Sequence, residues 1–174
     1  AAGLINRIPA SKLVNVIIAG AKDGLAPALV IGLARGIQWI LTASAIIDPI
    51  INSISKPLMA MPKYLTPIAV MIVIALFNGL ITSGSAKAMA LMPILIPLAD
   101  LVGMTRQTMI LAFQFGDGLT NSAWFTSGTL LIFLTIAGIP LKKWWKFVTP
   151  LLLILTVVCV IALLVATKIN YGPF

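Results

Sequence analysis

The feature that most limits what this chain can fold into is an apolar stretch, residues 147–167, that carries no charged side chain. About 20 apolar residues cross the hydrocarbon core of a bilayer once as a helix. Across the whole chain 60% of the residues are hydrophobic and 9% are charged, whereas roughly a quarter of a soluble domain is charged. We therefore predict an all-α integral membrane protein, with room for about four or five crossings.

The composition also excludes several kinds of site. The chain has no histidine and no glutamate, and Cys159 is its single cysteine. This excludes histidine-based metal or general-base chemistry and a disulfide framework, so we predict neither an enzyme nor a resident cofactor. The formal net charge of +8 comes from basic residues beside apolar runs, as membrane topology requires. We predict no nucleic-acid partner.

Polar residues and prolines divide the chain into five segments. Asp23–Gly24 predicts a corner before the first span, and Thr105 predicts the N-cap of a later helix. The apolar stretch 88–99 is too short to cross a bilayer comfortably, which favours a re-entrant path. The predicted segments are an interfacial amphipathic helix (1–22), the first span and a connector (23–63), a re-entrant helical hairpin (64–103), a broken transmembrane helix (104–141), and an anchor with the last transmembrane helix (142–174).

Two polar, glycine-rich stretches interrupt apolar helix, at residues 78–86 and 116–128. Backbone outside a helix has no water partner in hydrocarbon, so such breaks persist only inside protein or beside a wet cavity. Half-helix ends offer N–H groups to an anion and carbonyls to a cation, and secondary transporters build their sites in this way. The alternative is that each break is an ordinary loop outside the membrane.

Two charged residues lie in or beside these breaks. A carboxylate at membrane depth is costly and by default functional, so Asp117 would contact a cation, carry a proton, or cap the broken helix. Lys87, one turn past the first break, would pair with Asp117 or a solute carboxylate, or extend to the membrane interface. The sequence leaves these alternatives open.

Several motifs resemble a known group of transporters. The run Ser83–Gly103 resembles the re-entrant hairpin of the ion transporter superfamily. Thr105–Gln107, Ala112–Asn121 and Ile31–Gly36 resemble the anaerobic C4-dicarboxylate carrier-like family, which includes basic amino acid and arginine/ornithine antiporters. Ser85–Lys87, and the Gly-Asp and Thr-Asn pairs of residues 116–121, are similar to p-aminobenzoyl-glutamate transporters as well. The resemblance covers essentially the whole chain.

The resemblance implies the C-terminal half of a transporter built from two inverted repeats, whose N-terminal half supplies the rest of one central site. It also implies a homodimer, an elevator motion and a multi-pass location in the cytoplasmic membrane of a bacterium. The chain begins at Ala1 without a signal peptide, and we expect it to be the downstream part of a longer protein. Many relatives carry a proline soon after the asparagine of the second break, where Ser122–Ala123–Trp124 stand here, so the solute cannot be copied from one relative.

Together the breaks and the resemblance predict secondary active transport of a small carboxylate-bearing solute, an amino acid or a dicarboxylate, by ion coupling or exchange. The alternatives are an uncoupled channel or permease component, and a structural membrane subunit. Predicted partners are the solute and the lipid bilayer, with Na⁺ as the ion that backbone carbonyls would hold. The residues predicted to bind the solute are Ser83, Ser85, Thr120, Asn121, Ser122 and Thr126, and those predicted for ion coupling are Asn78, Gly84, Gly116, Asp117 and Gly118.

Basic residues also predict an orientation. If the hairpin does not cross, residues 1–22 and 142–146 would lie on one side of the membrane, and 42–63 and 100–106 on the other; a full crossing by 64–81 would change this arrangement. The first side carries more lysine and arginine, which predicts that it is cytoplasmic and that the C-terminus lies outside. Trp144 and Trp145, beside the lysines of 142–146, predict an interfacial anchor.

Overall fold

The computed structural model describes residues 9–46, 49, 53 and 56–172. Asp48 of the predicted connector, and the part of the predicted interfacial helix before residue 9, lie outside these residues. The described part of the chain is all-helical, which confirms the predicted class. Its helices are α1 (Ala10–Ala43), α2 (Thr66–Phe77), α3 (Gly84–Leu101), α4 (Arg106–Thr120), α5 (Gly128–Ile136) and α6 (Leu141–Lys168).

Among the described residues, α3 and α6 are long and apolar enough to cross a membrane. α6 has 28 residues and is roughly 42 Å long. Its middle exposes large apolar side chains, such as Leu153 at 64% and Val157 at 59%, which lipid solvates and water does not. α2 is also apolar but has only 12 residues, a length that suits a re-entrant segment better than a crossing.

The predicted corner at Asp23–Gly24 is wrong, because α1 runs through both residues as one helix of 34 residues. A glycine costs a helix interior only about 1 kcal/mol relative to alanine. The alanines and leucines on either side are strong helix formers, so nothing local forces a turn there. The interfacial location of residues 10–22 stays a prediction.

α3 begins earlier than the apolar pattern indicated. The side chain of Ser83 accepts a hydrogen bond from the backbone N–H of Ala86 at 3.4 Å and caps the helix at Gly84. This cap extends α3 to 18 residues, which makes the helix as a whole, unlike the apolar stretch 88–99, long enough to cross a membrane by length and composition. The re-entrant path of the hairpin stays a prediction.

α4 lies at the centre of the packing, against α2, α3 and α6, while α1 packs on α5. Thr105 accepts a hydrogen bond from the backbone N–H of Thr108 at 3.3 Å, which confirms the predicted N-cap. Apolar side chains from all four central helices fill the core between them. They include Val70, Ile74 and Phe77 of α2, Leu91, Leu95 and Leu98 of α3, Met109, Ala112 and Phe113 of α4, and Leu163 of α6.

The predicted connector, the α3–α4 turn and the end of α6 meet at one end of the molecule. Lys63 Nζ donates to Asn170 Oδ1 at 2.9 Å, and Thr105 Oγ1 donates to the backbone oxygen of Tyr171 at 2.6 Å. These contacts bring together segments that the basic-residue pattern placed on one side of the membrane. Which side faces the cytoplasm stays a prediction.

Candidate functional site

Both predicted breaks are present in the helical framework. α2 ends at Phe77 and α3 begins at Gly84, so residues 78–83 form the first break. Residues 121–127 form the second break, between α4 and α5. The prediction that helix stops at Gly116 is wrong, because α4 continues to Thr120.

Gly116 has a packing role that explains this difference. A Cβ atom placed on Gly116 would lie 2.8 Å from Cβ of Ile74 and would also meet the backbone oxygen of Met71. Real Cβ atoms essentially never come that close, so the missing side chain lets α4 approach α2. Gly118 lies two residues further along α4, and a Cβ atom placed on it would have no atom within 4 Å.

A buried ion pair connects the two breaks. Lys87 Nζ, at the start of α3, donates to Oδ1 of Asp117 on α4 and to Oδ1 of Asn78 in the first break. Lys87 and Asn78 are 0% exposed and Asp117 is 7% exposed. The alternative in which Lys87 extends to the membrane interface is therefore wrong, and its pairing with Asp117 is confirmed.

Asn78 extends this pair into a network. Its Nδ2 lies 3.0 Å from each of three acceptors, the backbone oxygen of Asp117, Oγ1 of Thr120 and Oδ1 of Asn121. Asn121 Nδ2 in turn donates to Oδ2 of Asp117 at 3.4 Å. We call Asn78, Lys87, Asp117, Thr120 and Asn121 the polar junction.

The residues predicted for ion coupling lie in or against the polar junction. The backbone oxygen of Gly116 accepts from Thr120 Oγ1 at 2.7 Å, and that of Asp117 accepts from Asn78 and from the N–H of Asn121. A Cβ on Gly84 would lie 3.0 Å from Oδ2 of Asp117, so this glycine lets α3 start directly beside the carboxylate. A role of these carbonyls as Na⁺ ligands stays a prediction.

A cavity of about 800 Å³ opens beside the polar junction. Its lining combines hydroxyl and amide groups with apolar side chains of α5, and none of the lining residues is charged. The predicted site residues that line it are Ser83, Gly118, Asn121, Ser122 and Thr126. Thr120 does not line the cavity and belongs to the polar junction.

The hydroxyl groups of the residues predicted to bind the solute differ in the hydrogen bonds that they already form. Thr126 Oγ1 is buried and has no hydrogen-bond partner among the described residues, so its hydrogen-bonding capacity is unused there. Ser122 Oγ donates to the backbone oxygen of Leu119 at 2.9 Å and keeps its acceptor lone pairs. Ser85 is exposed and is absent from the cavity lining; its Oγ lies 3.3 Å from that of Ser83.

Three indole groups bind the helices around the second break. Trp124 Nε1, within the break, donates to the backbone oxygen of Ala75 at 2.8 Å. From α6, Trp144 Nε1 donates to the oxygen of Ser122 at 2.8 Å, and Trp145 Nε1 donates to that of Ala123 at 2.7 Å. The bonds from Trp144 and Trp145 satisfy carbonyls of the break, and the bond from Trp124 satisfies a carbonyl in the last turn of α2.

Sequence reasoning did not include Lys87 or these tryptophans among the site residues. The available signal for Lys87 was its position in an otherwise apolar helix, where a charge needs a partner. Trp144 and Trp145 gave no such signal, because tryptophan beside lysine is equally typical of a membrane interface. In the described residues no group of His, Cys, Asp or Glu could hold a metal ion.

Comparison with known proteins gives three findings. The family model described as C4-dicarboxylate anaerobic carrier matches residues 3–168. The chain is 31% identical over 172 residues to a candidate basic amino acid antiporter, YfcC, of Escherichia coli strain K12, covering 96% of this chain and 34% of YfcC. It is 32% identical over 133 residues to an uncharacterized protein of Haemophilus influenzae strain Rd, covering 76% of this chain and 26% of that protein.

No solved structure matches the chain significantly. The chain spans about a third or less of the length of these two relatives. The match to the family model nevertheless extends from before α1 to the last residue of α6. With its apolar helices, this chain is a membrane protein that belongs to the C4-dicarboxylate anaerobic carrier family.

Proposed function

We propose that the chain forms part of a secondary active transporter for a small carboxylate-bearing solute, an amino acid or a dicarboxylate. The observation that carries this proposal is the polar junction, which ties two helix breaks together beside a cavity lined by uncharged polar groups. A purely structural bundle gains nothing from burying an ion pair next to an open cavity, because burial of charge is costly. The family's description and the name of the Escherichia coli relative support the class of solute.

The cavity walls suggest how the solute would be held. Ser83, Asn121 and Thr126 line one volume and carry hydroxyl and amide groups, and a carboxylate oxygen accepts hydrogen bonds from such groups strongly. Thr126 is the best candidate among them, since its hydroxyl has no hydrogen-bond partner within the described residues. The apolar side of the cavity, formed by α5 residues such as Phe133, would contact the carbon chain of the solute.

The wider architecture follows from the same proposal. The complete site would be shared with a second, inverted repeat, because paired breaks from two repeats meet at mid-membrane in such carriers. We propose a homodimer in a bacterial cytoplasmic membrane, with an elevator motion of the domain that carries the breaks. Transport would be driven by coupling to Na⁺ or H⁺, or by exchange of solutes.

The test is uptake by the full-length protein in proteoliposomes, with and without an ion gradient and with solute preloaded for exchange. Radiolabelled arginine, ornithine, aspartate and succinate would be compared. Thr126→Val should raise KM for the transported solute about tenfold or more, since a hydrogen bond to a charged group contributes roughly 1.5–3 kcal/mol.

Thr156→Val is the matched control for this substitution. Thr156 lies on α6, donates to the backbone oxygen of Leu152 at 2.7 Å and is not part of the cavity lining. Uptake that is equal in both variants would contradict the proposed solute site. Steady conductance without solute accumulation would instead indicate an uncoupled channel.

A further inference from the structure

The ammonium group of Lys87 occupies the position in which a bound cation would be expected. It is held by a carboxylate oxygen of Asp117 and an amide oxygen of Asn78, which come from different segments of the chain. Carboxylate and amide oxygens are the ligands that hard cations prefer. All three residues are buried, so the position is closed to bulk water.

The charges at this position balance without any dissolved ion. Burying a single carboxylate costs several kcal/mol, and an opposite charge at hydrogen-bonding distance offsets that cost. Lys87 supplies one positive charge to the one negative charge of Asp117, and the remaining partners in the polar junction are neutral. The other described ion pair, Asp100 with Arg106 at 2.8 Å, is exposed and needs no such compensation.

The cation position also lies where coupling would act. Asn78 belongs to the first break, Asp117 precedes the second break, and Lys87 begins the helix between them. Whatever occupies this position holds the two breaks together beside the cavity. In a carrier driven by Na⁺, filling and emptying such a position would couple the ion to the arrangement of the breaks.

We propose that the Lys87 ammonium is a built-in substitute for a coupling cation, so that the polar junction forms without Na⁺ and gains a monovalent-cation site only when Lys87 is removed. The link to transport rests on the function proposed above, whereas the cation site itself does not. For transport, the proposal favours solute exchange or coupling at a position other than this junction.

The first experiment measures cation-dependent stability of the full-length protein in detergent. The Tm of the wild type and of Lys87→Met would be measured in NaCl and in choline chloride at equal ionic strength. Methionine keeps much of the length of lysine without its charge. We expect Lys87→Met to have a lower Tm in choline and to regain about 1–2 °C more than the wild type when Na⁺ is present at roughly ten times its Kd.

Two further variants assign this response to the junction. Lys87→Met combined with Asp117→Asn should lose the additional Na⁺ response, because the carboxylate ligand is gone. Arg106→Met is the matched control, since it also frees a carboxylate, but an exposed one. It should respond to Na⁺ no more than the wild type does.

Clear results would overturn the proposal. A folded Lys87→Met protein with the same Na⁺ response as the wild type would contradict it. If Lys87→Met does not fold, Lys87→Gln would be purified in Na⁺, and failure of both to fold in Na⁺ would count against the proposal, because dissolved Na⁺ is expected to replace the ammonium.

A transport measurement distinguishes failure of this proposal from failure of the proposed function. When Na⁺ is replaced by choline, the rate of solute exchange by the wild-type protein should stay within about twofold of its rate in Na⁺. Such a change is smaller than the tenfold that a difference of about 1.4 kcal/mol would give. If no solute is transported under any condition, the proposed function fails, while the Tm measurements still decide the cation site.

Discussion

At the scale of single residues, two glycines of the same motif have different structural roles. Gly116 and Gly118 both lie in α4 and flank Asp117. Only Gly116 faces α2, where the space for a Cβ atom is already taken by Ile74 and by the backbone of Met71. This close approach also brings Asn78, which follows directly on α2, to the backbone oxygen of Asp117.

Gly116→Ala should therefore destabilise the full-length protein by about 1–3 kcal/mol, the usual cost of overpacking a core. Gly118→Ala is the matched control. It should be neutral or stabilising by up to about 1 kcal/mol, because alanine favours a helix and the added methyl group meets nothing. Thermal unfolding of the purified variants measures both. Equal Tm values for the two would show that α4 does not need the glycine for packing.

At the scale of elements, α6 supports the second break in addition to being long and apolar enough to cross a membrane. Its first turns carry Trp144 and Trp145, whose indole groups bind the backbone of Ser122 and Ala123. The tryptophans predicted to mark the membrane interface therefore also hold the wall of the cavity, and Trp144 itself lines it. Any motion of α6 would be transmitted to the break through these two hydrogen bonds.

Trp144→Phe removes one of these bonds and keeps an aromatic ring in its place. We expect amide hydrogen exchange in residues 121–127 to become roughly three- to tenfold faster, since one hydrogen bond contributes about 0.5–1.5 kcal/mol. Exchange would be followed by mass spectrometry on the full-length protein. Trp39→Phe is the control, because Trp39 lies on α1 and is 71% exposed. Unchanged exchange in Trp144→Phe would mean that α6 does not hold the break.

At the scale of the whole molecule, the contacts at the two ends of α6 indicate an orientation in the membrane. The end near Lys168 meets the connector and the α3–α4 turn through Asn170 and Tyr171. The other end begins with the lysines of 142–146 and meets the second break. Because basic residues favour the cytoplasmic side, these lysines are expected inside the cell.

Cysteine labelling tests this orientation. In a Cys159→Ser background, Lys143→Cys and Lys168→Cys place one thiol at each end of α6, both at exposed positions. A maleimide that cannot cross membranes should label Lys168→Cys in intact cells, and Lys143→Cys only after the cells are opened. Labelling of both positions in intact cells would mean that α6 does not cross the membrane, and the reverse pattern would invert the topology.

Much of the architecture could be predicted from the sequence because it depends on local chemistry. The membrane class follows from apolar runs such as 147–167, and the start of α4 follows from the cap at Thr105. Both breaks are visible because polar, glycine-rich residues interrupt apolar helix. The sequence could not place the start of the second break, since a glycine such as Gly116 serves a turn and a close helix contact equally well.

What only the tertiary structure decided are the contacts between residues far apart in the chain. Lys87 and Asp117 are 30 positions apart, and Asn78 and Asp117 are 39 apart. A lysine near a helix end satisfies its charge either at the membrane surface or with a buried carboxylate, and the residue itself favours neither. The sequence predicted that charges inside apolar segments need partners. The packing of α2 and α3 on α4 decided which partners they have, because it brings the two breaks to one place.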